Sequence, residues 1–363
     1  MLDILVITKR QYTNKDLLDD RYGRIREIPL HLARKGHRIS GICLSYRQKP
    51  EGMYADEGVI WWSVNSGVAL VPGLIRFVRH ANRSVRTCSI LWACSDSLFG
   101  ILGFLLSRRF RKPLVFDLYD NFESFFLARL PLFQTLYRWI VRRSDAVTVA
   151  SRPLLDLVRS YGRKKGVFVV ENAVDPELFR PLSKQACRSE LNLPPEALII
   201  GTAGALFRNR GIEALFGAFQ ILGEKYPNLS LAVAGPRDVA IPVHPRIHDL
   251  GTLSYEKIPK FLNALDIGVI CNRQGAFGSY CFPQKTREMM ACGLPIVAAD
   301  VGSMKILLAN HPNWLFHPES AEHLAETIEN RMRDRCTDYG RTPTWSDLAG
   351  EIESVFLQVA RNR

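Results

Sequence analysis

Short apolar runs alternate with longer amphipathic stretches along the first half of the chain. Residues 2–7 read as a strand, 24–35 as a helix stopped by Gly36, and 38–43 as the next strand. Residues 59–64 and 89–93 read as further strands, 98–107 as a helix, and 114–118 as a strand behind Pro113. Residues 146–150 and 167–170 complete the set. Strands alternating with helices predict a parallel, doubly wound sheet.

The pattern breaks at 171–181, ENAVDPELFRP, where Asn172, Asp175, Pro176 and Pro181 supply turn chemistry. A second series follows: strands at 198–201, 229–234, 267–271 and 295–299, and helices at 211–222, 255–265 and 284–292. The predicted fold class is α/β, two Rossmann-like doubly wound domains facing a cleft. Ligands of such sheets lie at the carboxyl ends of the strands. The expected domains are 1–180, 181–340 and a terminal helix in 341–363.

A length of 363 residues fits two ordinary domains, and 47% apolar with 23% charged residues is a soluble globular composition. Eight scattered cysteines form no CxxC pair and read as reduced core residues; the histidines show no metal spacing. The start lacks the features of a secretory leader, and the longest apolar stretch, 98–106, is about half a membrane span. The expectation is a cytoplasmic protein. Charge changes this picture more. Residues 1–180 hold 29 Lys and Arg against 17 Asp and Glu, whereas residues 181–363 hold 19 of each. The whole surplus of +12 lies in the first half, as an anionic partner or a merely solvated basic surface would require.

Candidate chemistry concentrates in 282–300, FPQKTREMMACGLPIVAAD. Pro283 suits a helix entry and Gly293 its C-terminal turn. Lys285 and Glu288, three apart, share a helical face. The helix start and Lys285 together suit a diphosphate, and Glu288 suits two ribose hydroxyls; a solvated ion pair would use the same spacing. A second cluster, 201–213, GTAGALFRNRGIE, runs strand, small-residue loop, helix. Gly204 lets a ligand approach the backbone, and Arg208 and Arg210 bracket the loop with charge.

In this order the segments resemble the retaining glycosyltransferases of family 4, with GT-B architecture, over nearly the whole chain. Gly36-His37, the Asn172-Ala173-Val174-Asp175 linker with Phe179-Arg180-Pro181, Gly251-Thr252-Leu253 and Ala291-Cys292-Gly293-Leu294-Pro295 are each similar to a family segment. So is the start of the last helix at Trp345, which in the family crosses back onto the first domain. Phe282, Pro283, Lys285 and Glu288 fit the FPxKxxE variant of the family's two-glutamate motif. Tyr280 stands where the first glutamate usually falls, Ala205 where a diphosphate-binding arginine falls, and Arg210 where a lysine falls. Asp117-Leu118-Tyr119-Asp120-Asn121 occupies the place of a family histidine, with Tyr119 at its position. Of the acceptor-loop glycines only Gly23 matches.

The resemblance implies sugar transfer from a nucleoside-diphosphate sugar to a glycan or lipid-linked acceptor, in cell-envelope polysaccharide or glycolipid synthesis. It implies no metal and no cofactor, and nothing in the sequence suggests nucleic acid. It assigns Arg210, Lys285 and Glu288 to catalysis, and Gly204, Arg208, Leu253, Tyr280, Phe282 and Pro283 to the donor. Gly23, Asp117, Tyr119 and Asp120 fall on the acceptor side. A GT-B protein without transfer activity is the alternative that Tyr280 and Ala205 favour. Residues 122–143, FESFFLARLPLFQTLYRWIVRR, place Phe126, Leu130, Phe133, Tyr137 and Ile140 on one helical stripe. Arg129, Arg138, Arg142 and Arg143 lie beside it. Such a stripe suits an anionic membrane surface, or equally a core face with solvated arginines.

Overall fold

The computed structural model describes residues 1–12, 15–68, 70–125 and 131–362, and divides into two compact units. Met1–Glu171 and Trp345–Arg363 form the first unit; Asn172–Thr344 form the second.

The first unit runs β1 (Asp3–Lys9), β2 (Gln11–Tyr12), β3 (Lys15–Asp16), α1 (Arg24–Arg34), β4 (Arg38–Ser45), β5 (Gly52–Asp56) and β6 (Val59–Asn65). It continues with α2 (Leu70–Ser84), β7 (Ile90–Ala93), α3 (Ser97–Phe110), β8 (Leu114–Leu118), α4 (Pro131–Arg143), β9 (Ala146–Val149), α5 (Arg152–Ser160) and β10 (Val167–Val169). Its sheet has the order β10-β9-β8-β7-β1-β4-β6-β5, parallel except for the edge strand β5. Strand order reverses between β1 and β7, so that crevice is the switch point where an open α/β sheet accepts ligands.

The central strands β7, β8 and β9 are buried along their whole length, as strands covered on both faces must be. Helix α3 starts where the Asp96 carboxylate accepts from the Leu98 and Phe99 backbone N–H groups at 2.9 and 3.4 Å. It reaches the sheet through Gly100, where an added Cβ would meet the Phe116 ring at 2.1 Å. The stretch 122–143 divides differently from the pattern. Phe122–Ser124 is a short 3-10 turn and only Pro131–Arg143 is α-helix. Proline at its first position starts the helix rather than kinking it.

The second unit runs α6 (Lys184–Glu190), β11 (Leu198–Ala203), α7 (Glu213–Lys225), β12 (Leu229–Ala234), β13 (Ile247–Asp249), α8 (Ile258–Ala264) and β14 (Ile267–Ile270). Then come α9 (Gln284–Ala291), β15 (Ile296–Ala299), α10 (Ser303–Leu307), β16 (Leu315–Phe316) and α11 (Ala321–Arg333). All strands are parallel in the order β13-β12-β11-β14-β15-β16, and the order reverses between β11 and β14. Two apolar clusters cover the faces, one with Phe261, Met289 and Trp314, the other with Leu215, Phe219 and Leu324. The last helix, α12 (Trp345–Arg361), returns to the first unit and lies along α1. There Glu353 accepts from Lys35 at 2.9 Å and meets His37 at 2.8 Å, and Phe356 packs edge-on to Trp92 at 5.5 Å.

Candidate functional site

The switch point of the second sheet gathers most of the candidate residues. Gly204 directly follows β11 with φ +103°, a conformation that favours glycine. Beside it runs Gly235, where a Cβ would fall 1.9 Å from the Gly204 carbonyl oxygen, so neither backbone could approach so closely with a side chain at 235. Lys285, the second residue of α9, lays its amine against Gly204: a Cβ there would lie 3.7 Å from Nζ. That amine donates to Thr202 Oγ1 at 3.1 Å. Arg210 stacks its guanidinium over Phe277 at 3.6 Å from the ring centre, on the turn that also carries Tyr280. Glu288, buried one turn beyond Lys285, meets the Tyr255 hydroxyl at 3.4 Å.

Burial sets the electrostatics. It pulls the Lys285 ammonium down to about 8; Arg210 adds to the fall, and Cys271 and Glu288 oppose it. Burial pushes the Glu288 carboxyl up to about 7, against hydrogen bonds from Tyr255 and Gln284 and the charge of Lys285. Two groups poised near neutrality beside a bare backbone loop can bind an anion with one and hydroxyls with the other. Among the described residues no three His, Cys, Asp or Glu side chains gather as a metal ion would need.

The other donor-side residues separate by role. Pro283 is the N-cap of α9. Phe282 is buried in the core and stacks under the Arg287 guanidinium at 4.9 Å, so its ring faces protein. Its carbonyl accepts from Asn172 Nδ2 at 2.9 Å, and Gln284 donates to the Ala173 carbonyl at 2.6 Å, which ties the linker motif to the start of α9. Leu253 packs on the core and leads into Tyr255. Arg208 is exposed and pairs with Glu213 at 3.3 Å. Sequence reasoning missed Thr202, Tyr255, Phe277 and Gly235. Thr202 and Gly235 carried a signal, since each directly follows or ends an apolar strand run.

In the first unit Asp117 corrects its expected role. It is fully buried, paired with Arg24 at 2.9 Å, and accepts from Thr148 Oγ1 at 2.6 Å. A carboxylate enclosed in this way holds strands and α1 together and does not face sugar hydroxyls. Gly23, with φ +84°, is the N-cap of α1; its carbonyl accepts from the Arg26 and Glu27 N–H groups. It thereby seats Arg24, which also donates to the Val170 carbonyl at 2.9 Å. Tyr119 is buried edge-on to Phe122 at 5.2 Å. Asp120 accepts from the Asn121 N–H and faces Lys9, which ends β1. Lys9 and Asp96 border the switch point between β1 and β7, and neither was expected. Burial lowers the Lys9 ammonium and raises the Asp96 carboxyl, each partly offset by the other.

For the stripe within 122–143, the described residues fit the core-face reading. Tyr137 and Ile140 are buried and Phe133 is half-buried, so that side of α4 is a core face. Phe126, Arg129 and Leu130 lie outside the described residues. No described helix is long and apolar enough to cross a membrane.

Comparison with known proteins fits this frame. The model of "Glycosyltransferase Family 4" matches residues 24–178, and that of "Glycosyl transferases group 1" matches residues 197–334. The chain belongs to the GT-B glycosyltransferases. A D-inositol 3-phosphate glycosyltransferase of Stackebrandtia nassauensis is 26% identical over 256 residues. That match covers 62% of this chain and 56% of that protein. The chain thus spans little more than half the length of that relative. TuaH of Bacillus subtilis, named for teichuronic acid biosynthesis, is 28% identical over 310 residues, 81% of this chain and 67% of its own. Two solved GT-B structures share the fold. Sucrose-phosphate synthase of Thermosynechococcus elongatus has a TM-score of 0.76 at 18% identity, covering 100% of this chain and 98% of that one. Anabaena HepE with UDP-glucose has 0.71 at 17%, covering 100% and 99%.

Proposed function

We propose that this GT-B protein transfers a hexosyl or related sugar from a nucleoside-diphosphate sugar, with retention, to a glycan or lipid-linked acceptor in envelope polysaccharide or glycolipid synthesis. The observation that carries the reading is the Lys285 amine held against the Gly204 backbone at the sheet's switch point, with Arg210 beside it and Glu288 one turn on. Lys285 and Arg210 take the diphosphate, whose charge grows as the bond from the anomeric carbon to the phosphate oxygen breaks. Glu288 accepts from the ribose hydroxyls. An acceptor hydroxyl oxygen bonds to the anomeric carbon from the face the diphosphate leaves, and its proton passes to that diphosphate. The protein supplies charge and position, with no metal required. UDP and UDP-glucose bound to HepE make a uridine donor the first to try.

The test is a thermal-shift panel of nucleoside diphosphates and their sugars, followed by donor turnover. A ligand that binds only the folded state raises the melting temperature through RT ln(1 + [L]/Kd). A shift with one nucleotide family, lost in Lys285→Ala, supports the reading; no shift with any member rejects it. Ala205 and Tyr280, which lack the charges usual at their positions, favour a second reading: a protein that binds sugar nucleotides and does not transfer. Binding without turnover of the bound donor, even with lipid and glycan acceptors, would select it.

A further inference from the structure

The switch point of the first sheet, between β1 and β7, is a second place where strand ends meet. Register pairs Lys9 with Leu44, Ile7 with Ala93 and Ala93 with Phe116. Lys9 at the end of β1, Tyr46 just past β4, Asp96 just past β7 and Asp120 just past β8 therefore border one crevice.

The chain is bent to make it. Ser95 stands at φ +91°, a conformation that favours glycine and strains a serine. Its hydroxyl accepts from the Lys9 N–H at 3.2 Å and shares a hydrogen bond with the buried Thr8 hydroxyl. That turn delivers Asp96 to the start of α3, where its carboxylate accepts from the Leu98 and Phe99 N–H groups. The Lys9 amine lies 5.2 Å over the Phe125 ring. Among the described residues that amine has neither a hydrogen bond nor an ion pair.

Charge decides what such a crevice accepts. A helix start beside a lysine would suit an anion, but here the chain's own Asp96 carboxylate already occupies the start of α3. Among the described residues, Asp96 and Asp120 are the charges that act on Lys9, and Lys9 is the one that acts on Asp96. Two carboxylates thus stand against one amine, although the first half of the chain holds the whole surplus of +12. A phosphate would meet like charge at close range. An uncharged sugar ring uses every group: its hydroxyls donate to the carboxylates and accept from Lys9, and its apolar face lies against Tyr46 and Phe125.

We propose that the crevice of Lys9, Asp96 and Asp120 selects an acceptor whose reacting residue is an uncharged sugar, and refuses one that carries a phosphate on that ring. The proposal rests on the transfer reading and narrows its acceptor.

The experiment is saturation-transfer NMR on the full chain, with and without UDP. The ligands are matched pairs: glucose against glucose 6-phosphate, and myo-inositol against inositol 3-phosphate. The uncharged member that binds best should do so at least about tenfold more tightly than its phosphate ester. Asp96→Asn keeps the helix cap, since asparagine caps as well as aspartate, and should cut that preference at least about threefold. Asp120→Asn should act in the same direction, and serves if Asp96→Asn fails to fold. Lys9→Gln should weaken the uncharged sugar about tenfold. A phosphate ester bound as tightly as its partner overturns the proposal, and so does a preference that neither asparagine variant moves. Binding of no sugar at all also overturns it, while a melting shift with a nucleotide would leave the transfer reading standing. Uncharged sugar bound with no nucleotide shift would uphold the crevice and reject the transfer reading.

Discussion

Lys285 reaches across the switch point of the second sheet to donate to Thr202 Oγ1, joining the first turn of α9 to the last residues of β11 at 3.1 Å. The bond fixes a buried amine beside a loop that has no side chain at Gly204. Lys285→Ala should therefore lower kcat by about 100- to 1000-fold, the range for removal of a group that stabilises charge in the transition state. Thr202→Val removes only the positioning bond, worth about 0.5–1.5 kcal/mol, and should cost about 2- to 10-fold in kcat with KM little changed. Steady-state kinetics with the donor found in the panel separate the two. A Lys285→Ala enzyme of near-normal kcat would reject the diphosphate role.

Glu288 should act mainly in binding, since the ribose is unchanged between bound donor and transition state. Glu288→Ala should cost about 10- to 150-fold in kcat/KM, from a charged hydrogen bond of about 1.5–3 kcal/mol, chiefly through KM.

The pH profile follows from the same pair. Glu288 must be ionised and Lys285 protonated in the free enzyme, so kcat/KM should fall below about 7 and above about 8. Glu288→Gln should abolish the acid limb and keep the alkaline one. Stability moves the other way. The folded carboxyl near 7 lies above its unfolded value of 4.5, so the folded chain binds the extra proton, and stability falls as pH rises through that interval. At pH 8, without donor, Glu288→Gln should be more stable than the parent by roughly 2–3 kcal/mol, and the gain should vanish below about pH 4.5. Melting curves at both pH values check it. A destabilised Glu288→Gln at pH 8 would show that the carboxylate is fully compensated by its partners.

Asp117→Asn leaves the buried Arg24 guanidinium without its counter-charge. Losing one partner of such a pair costs about 3–5 kcal/mol. The melting temperature should drop by several degrees, while KM for donor and acceptor stays near the parent value in the folded fraction. A selective rise in acceptor KM at unchanged melting temperature would restore the substrate role that the geometry removes.

Activity should survive exhaustive chelation, because Lys285, Arg210 and the backbone at Gly204 answer the diphosphate charge. Turnover measured in EDTA, then with Mg²⁺ or Mn²⁺ restored, decides this. Complete loss and full rescue by metal would reject the metal-free mechanism.

Periodicity made most of the fold legible. Short, mainly apolar runs such as 4–7, 114–118 and 229–234 suit strands buried on both faces. The antiparallel β5 escaped because its half-exposed residues alternate weakly, and α2 because polar and apolar residues mix across a broad face. At the site, Lys285 and Glu288 were readable from one helical turn, and the structure brings Lys285 and Gly204 together. What stayed hidden depends on where strands end in space. Lys9 and Asp96 are distant in sequence and meet only because β1 and β7 are neighbours. Asp117 misled because a strand-end aspartate looks alike whether it faces solvent or an arginine from another helix. On α4 the pattern showed an amphipathic helix and left open which side faces the core. Tyr137 turns inward to Phe116 at 6.1 Å, and Trp139 is the aromatic left in the open.

The return of α12 to the first unit makes residues 172–344 an insertion within a discontinuous unit. A ribosome releases the chain from its amino end, so the second unit has all its strands in hand before the first can finish. Until residue 345 and beyond emerge, α1 lacks the helix that covers it, and Trp92 lacks Phe356. The amino-terminal unit must then wait, partly unsealed, through the synthesis of nearly half the chain. Those last nineteen residues act as a closing clasp whose timing is set by translation. A chain stopped at Thr344 should release a folded second unit attached to a first unit that chaperones retain.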